Sequence, residues 1–220
     1  MADAETRLVI FDCDGVLVDS EPISISVLVG AMNDLGVSIT EDQAYERFLG
    51  RSLSTLIDTL ETEFNVQAGE EFLERIRTDL YARFRTELKP IEGVAATIDG
   101  LGVPCCVASS SQMERIRLSL SVTGLLGKLP DIFSATMVKR GKPAPDLFLH
   151  AAREMQVEPA HCLVVEDSPA GVAAAKAAGM TVFAFTGGSH ANFAGYRAEL
   201  DRLSPEVVFD AMPDLIHLVR

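Results

Sequence analysis

Four short clusters of polar residues stand where apolar runs end. The run Arg7 to Asp12 closes in Asp12-Cys13-Asp14-Gly15. The run Val103 to Ala108 leads into Ser109-Ser110-Ser111. The run Cys162 to Val165 leads into Glu166-Asp167-Ser168, and a loop before it carries Gly141-Lys142-Pro143. Together they offer four carboxylates, one lysine and several hydroxyls. Carboxylates in one crevice repel each other unless a cation or protons join them. An all-oxygen donor set suits Mg²⁺ rather than zinc. A lysine beside that metal suits a phosphoryl group. A carboxylate such as Asp12 meeting a dianionic phosphate at ~4 Å, with an effective dielectric near ~20, is repelled by about 8 kcal/mol. Mg²⁺ and Lys142 together reverse that sign.

The elements around these clusters say how they meet. The apolar runs are short, β-branched and strand-like, and two more occur at Thr181 to Phe185 and Val207 to Phe209. Helical patterns separate most of them: Ile91 to Leu101, Pro145 to Met155, and the alanine-rich Ala170 to Ala178, stopped by Gly179. Strands alternating with helices predict an α/β fold, a Rossmann-like, mostly parallel sheet covered on both faces. In such sheets ligands sit beyond the carboxyl ends of the strands, where all four clusters lie. Residues 18 to 88 break the alternation. They hold no convincing strand and four helical segments, Ile23 to Leu35, Glu41 to Phe48, Ser52 to Phe64 and Gly69 to Leu88. The expected organisation is an α/β core of residues 1–17 and 89–220 with an inserted all-helical domain, 18–88.

Composition narrows the partners. Of 220 residues, 19 are Lys or Arg and 32 Asp or Glu, a formal charge of −13. That disfavours nucleic acid and anionic membrane as partners. No apolar run approaches the ~20 residues of a membrane span, and the start, MADAETR, lacks the pattern of a secretory signal. Cys13, Cys105, Cys106 and Cys162 lie in or beside apolar runs and read as reduced, buried thiols of a cytoplasmic protein. No Cys/His spacing suits zinc. His150 and His161 read as ordinary helix and loop residues. A monomer is expected, since no long exposed apolar stripe is evident.

Asp12-Cys13-Asp14-Gly15-Val16-Leu17-Val18-Asp19-Ser20-Glu21-Pro22 resembles the first signature of the haloacid dehalogenase superfamily. Val107-Ala108-Ser109, Gly141-Lys142-Pro143 and Val165-Glu166-Asp167-Ser168-Pro169-Ala170-Gly171 resemble the other three, in order and across nearly the whole chain. The helical insert resembles the cap of the subfamily that includes β-phosphoglucomutase and many sugar-phosphate phosphatases. The resemblance implies roles. Asp12 is the nucleophile and forms an aspartyl phosphate. Asp14 is the acid and base. Ser109 binds a phosphoryl oxygen, with Ser110 and Ser111 beside it. Lys142 bridges nucleophile and phosphoryl group. The metal ligands are the Asp12 carboxylate, the Asp14 backbone carbonyl, Asp167, and Glu166 directly or through water. In the cap, the loop Phe48-Leu49-Gly50-Arg51-Ser52 faces the substrate, with Gly50 and Arg51 as contacts. Asp19 is expected to order the hinge into the cap.

Each cluster also has a plainer reading. Asp-x-Asp is an ordinary turn, three serines cap a helix that begins near Gln112, and Glu166-Asp167 is a charge pair at a helix start. It is their joint occurrence, in this order, that favours catalysis. The expected activity is a Mg²⁺-dependent phosphatase acting on a small phosphorylated metabolite, a sugar or sugar-acid phosphate. The rival enzyme is a β-phosphoglucomutase-type phosphomutase. Its cap histidine is matched here by Ser24, and residues 1–149 contain no histidine. Dehalogenases lack the second aspartate of the first signature, so Asp14 argues against dehalogenation. A phosphonate hydrolase needs a cap lysine, and residues 18–88 have none. A non-catalytic phosphoacceptor regulator is the rival from another class.

Overall fold

The computed structural model describes residues 5–48, 53–64, 66, 69–192 and 195–219; of residues 53–56 and 192 only the backbone is described. The chain divides into two compact units, residues 1–19 with 89–220, and residues 20–88. The division falls two residues beyond the expected boundary. Val18 forms bridges with Asp14 and Pro90, and the Asp19 amide donates to the Lys89 carbonyl at 3.0 Å, which keeps both residues with the sheet-bearing unit.

Among the described residues that unit holds six strands: β1 (Leu8–Phe11), β2 (Cys105–Ser109), β3 (Ile132–Ser134), β4 (Cys162–Glu166), β5 (Thr181–Phe185) and β6 (Val207–Phe209). They form one sheet in the order β3-β2-β1-β4-β5-β6, and every pairing is parallel. β1 lies between β2 and β4, with Ile10 opposite Cys106 on one side and Val164 on the other. All four of its residues are buried, as a strand covered on both faces requires. The chain reverses its direction of sheet growth between β1 and β4, and at such a switch point the loops diverge and leave a crevice. β3 was not expected. It is three residues long and exists through its pairing with β2, Val107 opposite Ile132.

On one face, Leu8, Ile10, Ala108, Val164 and Val182 pack with Phe148 and Ala151, and with Val172, Ala174 and Ala175. The helices that carry the latter residues belong to this unit, and other helices precede them in the chain. In residues 20–88 these are α1 (Glu21–Asp34), α2 (Glu41–Phe48), α3 (Leu53–Glu63) and α4 (Glu70–Glu87). The sheet-bearing unit adds α5 (Val94–Gly100), α6 (Met113–Val122), α7 (Asp146–Glu154), α8 (Pro169–Ala177), α9 (Tyr196–Arg202) and α10 (Leu215–Leu218). α5 begins three residues later than the pattern suggests, because Gly93 before it takes a left-handed conformation, φ 79°. α8 is nearly all alanine and glycine on its inner side, so it approaches the sheet closely. Its start is fixed by Pro169 and by Ser168, whose hydroxyl accepts from the Gly171 amide at 3.0 Å. All four cysteines are free thiols, and burial pushes Cys105 up to about 12 and Cys162 up to about 11.

In the helical unit, α4 buries Phe72, Ile76, Leu80 and Phe84, one residue every four, and this stripe packs on α1. α2 opens on a capping box: the Gln43 amide donates to Thr40 Oγ1 at 3.2 Å, and the Thr40 amide to Gln43 Oε1 at 3.0 Å. Arg75 joins α4 to Asp34 at the end of α1 at 2.6 Å. Among the described residues no helix is long and apolar enough to cross a membrane.

Candidate active site

β1 delivers Asp12 to its carboxyl end, and Gly15 turns the chain away, φ 82°, a conformation that favours glycine. The neighbouring strand β4 delivers Glu166 and Asp167 to the same edge. Asp12, Glu166 and Asp167 are all buried, and one carboxylate oxygen from each lies within 4.8 Å of the others. Lys142, from the loop before α7, reaches into this group with its side chain 3% exposed. Its ammonium donates to Asp12 Oδ1 at 2.7 Å, to Glu166 Oε1 at 2.7 Å and to the Ala108 carbonyl at 3.0 Å. All three of its protons are thereby used. The Phe148 ring stands 4.9 Å from the ammonium on a further side.

The charges in this cluster do not balance, because three carboxylates face one ammonium. Burial raises Asp12 well above the usual carboxylate range, Glu166 and Asp167 add to this, and Lys142 opposes it. Asp167 is raised too, first by burial, with His190 opposing. Burial alone would lower the Lys142 ammonium, but Asp12 and Glu166 outweigh it and hold that group above its ordinary value. The whole cluster wants further positive charge. A hard divalent cation fits, since the donors are all oxygens and too few to satisfy it without water or substrate.

Glu166 has less freedom than the other two. Oε1 accepts from the Lys142 ammonium, and Oε2 accepts from the Ser168 amide at 2.7 Å and its hydroxyl at 2.9 Å. The carboxylate folds beneath the first turn of α8, where a Cβ on Gly171 would lie 1.7 Å from Oε1. Gly171→Ala is therefore expected to push Glu166 out of place and to cost about 1–3 kcal/mol, read as a lower urea midpoint for unfolding.

The remaining sequence-derived residues fall into two groups. Asp14 stands apart from the carboxylate cluster. It accepts from Ser111 Oγ at 2.7 Å and from Arg115 Nη2, on α6, at 2.8 Å. Ser109, at the end of β2, is buried and accepts from the Ser111 amide at 3.1 Å, which leaves its own proton to give. Ser110 is exposed. Gly50 and Arg51 lie outside the described residues. Sequence reasoning missed two residues here. Arg115 follows the serine triplet in the first turn of α6, whose N-cap is Gln112, with no side-chain cap bond from the serines of the kind the plainer reading expects. His190 follows β5 in Gly187-Gly188-Ser189, and its Nε2 lies 2.8 Å from Asp167 Oδ2. A polar loop after a further buried strand was the available signal.

Comparison with known proteins agrees with this geometry. The haloacid dehalogenase-like hydrolase family matches residues 9–185. The chain is 35% identical over 184 residues to the 6-phosphogluconate phosphatase of Escherichia coli, covering 83% of each protein. A haloacid dehalogenase-like protein from Agrobacterium tumefaciens superposes with a TM-score of 0.87 at 35% identity, over 97% of both chains. A family hydrolase from Deinococcus radiodurans, solved with bound phosphate and sodium, gives 0.79 at 33% identity, over 97% of this chain and 94% of its own. With the four motifs gathered on one sheet edge, the chain belongs to the haloacid dehalogenase-like hydrolases and is an enzyme of their phosphatase type.

Proposed function

We propose that the chain is a Mg²⁺-dependent phosphatase of a small phosphorylated sugar or sugar acid, working through an aspartyl phosphate on Asp12. The observation that carries this reading is the Lys142 ammonium shared between Asp12 and Glu166 within a buried group of three carboxylates. A solvated loop lysine would not be sealed there. The 35% identity to a 6-phosphogluconate phosphatase supports the substrate class.

Asp12 and Asp167 would hold Mg²⁺ by their carboxylates and Asp14 by its backbone carbonyl, with Glu166 contributing through water because Lys142 and Ser168 occupy its oxygens. Bound there, Mg²⁺ supplies positive charge against the phosphoryl oxygens. Lys142 fixes Oδ1 of Asp12, so the other oxygen attacks phosphorus. As the Asp12–phosphorus bond forms, the bond to the substrate alkoxide breaks. Lys142 offsets the charge on the transferring group. The Ser109 hydroxyl and the backbone amides at the start of α6 bind its oxygens. Asp14, protonated and turned from Arg115, gives its proton to the departing oxygen. It then takes one from the water that cleaves the aspartyl phosphate, which regenerates Asp12 and frees phosphate.

Residues 20–88 act as the cap, with Gly50 and Arg51 selecting the distal part of the substrate. The chain's own residues favour hydrolysis over isomerisation. Ser24 spends its hydroxyl on the Ser20 carbonyl, 3.0 Å away in the same helical unit. A serine so engaged is a poor substitute for a mutase histidine. The test is phosphate release from p-nitrophenyl phosphate and from a panel of sugar and sugar-acid phosphates. Turnover is expected with Mg²⁺, falling to background with EDTA and returning when Mg²⁺ is restored. Full turnover in EDTA would refute the mechanism.

A further inference from the structure

His190 belongs to none of the four motifs, yet it is fully buried against one of their carboxylates. Its Nε2 is 2.8 Å from Asp167 Oδ2. Its ring stands edge-on to Tyr196, centroids 5.2 Å apart, and the Tyr196 hydroxyl donates to the Asp167 backbone carbonyl at 3.0 Å. Side chain and main chain of Asp167 are thus both gripped from the segment that follows β5. Two glycines make the room. A Cβ on Gly15 would lie 2.1 Å from Asp167 Oδ2 and 2.7 Å from His190 Cε1; one on Gly188 would lie 2.6 Å from Cε1.

The segment is itself anchored. The Ser189 amide donates to Asp19 Oδ1 at 3.2 Å, and the Ser189 hydroxyl to the other oxygen of Asp19. Asp19 in turn sits where the chain leaves the sheet-bearing unit, bonded through its amide to Lys89, where the chain returns. Asp19 is thus tied to the point where the chain returns and, through Ser189, to the segment that carries His190.

We propose that His190 is a positioning residue: by engaging one oxygen of Asp167, and held in place by Ser189 and Asp19, it sets the orientation in which Asp167 presents itself to the divalent cation. The proposal rests on the reading of Asp167 as a metal ligand. An unrestrained carboxylate rotates about its Cβ–Cγ bond, and a ligand that must first be ordered binds metal more weakly. Partners of this kind are worth about 10–100-fold in metal affinity.

The test is calorimetric titration of the metal-free full chain with MgCl₂, alongside kinetics at varied Mg²⁺. His190→Phe keeps a ring and removes the nitrogen. It is expected to weaken Mg²⁺ binding by about 10–100-fold, with the lost turnover recovered at high Mg²⁺. His190→Gln places an amide N–H near the position of Nε2 and is expected to bind Mg²⁺ like the parent. Equal Mg²⁺ affinity in His190→Phe and the parent overturns the proposal and leaves the metal site standing. Equal weakening in His190→Phe and His190→Gln also overturns it, because packing would then be the cause. A parent that binds no Mg²⁺ overturns the metal site itself. Should His190→Phe fail to fold, Ser189→Ala, at an exposed position, decides: a several-fold weaker affinity supports the relay, and an unchanged one ends it.

Discussion

Asp12→Asn is expected to abolish turnover while leaving the protein folded, and in the absence of Mg²⁺ no less stable than the parent. The loss follows from the proposed covalent route. An amide oxygen still accepts from Lys142 but does not form an acyl phosphate, so turnover should fall by about 10⁴-fold or more. The stability argument runs through charge. Burial, with help from Glu166 and Asp167, raises the Asp12 carboxyl well above its ordinary value against the pull of Lys142. A carboxyl raised in the folded state binds its proton more tightly there than in the unfolded chain. The folded state therefore loses stability as pH climbs from the ordinary carboxylate range toward the raised value. Asparagine carries no charge and escapes that loss. Thermal melts in EDTA and in MgCl₂ separate the two effects: the parent should gain melting temperature on adding Mg²⁺, and the variant should gain less. Retained turnover in Asp12→Asn would remove the nucleophile from the mechanism. A variant melting far below the parent in EDTA would show that Asp12 is a structural ion-pair partner first.

What the sequence discloses depends on whether an element's cause is local. β1, β4 and β5 are continuous apolar runs buried on both faces, and their residues reveal them without any knowledge of their neighbours. β3 is different. Ile132–Ser134 is too short to carry a period, and it is a strand because β2 lies beside it. α10, four residues long, is legible for the same reason only once its surroundings are known. The site divides along the same line. Asp12, Lys142, Glu166 and Asp167 announce themselves because each ends an apolar run or sits in a recognisable loop, and parallel strands bring such ends together. Their division of labour is not local. That Glu166 is engaged by Lys142 and Ser168 depends on Gly171 leaving space above it, and that His190 reaches Asp167 depends on Gly15 and Gly188. Asp14 shows a third case. It lies two residues from Asp12 in the sequence, while its hold by Ser111 and Arg115 comes from α6 and the turn before it, about a hundred residues later in the chain.

Lys142→Met should be the most damaging single change for the fold and the site together. Methionine matches the length of the stem but brings no charge, so three carboxylates are left buried without their ammonium. Removing one partner of a buried ion pair costs about 3–5 kcal/mol, and Lys142 is partner to two carboxylates, Asp12 and Glu166, each at 2.7 Å. Against a typical domain stability of about 5–15 kcal/mol, that is a large share. With about 2–4 °C of melting temperature per kcal/mol for a chain of this size, a fall of roughly 6–20 °C is expected in EDTA. On the proposed reading Mg²⁺ is held at the same carboxylates of the folded state, and binding to the folded state alone raises apparent stability. Saturating Mg²⁺ should therefore narrow the gap between variant and parent. Turnover should not recover with it. In the proposed mechanism the ammonium bridges nucleophile and phosphoryl group as charge develops, and losing one such donor costs about 10²–10³-fold in rate. A variant whose melting temperature and turnover both return with Mg²⁺ would make Lys142 only a counter-ion. One whose stability returns without its turnover would identify the ammonium as part of the reaction.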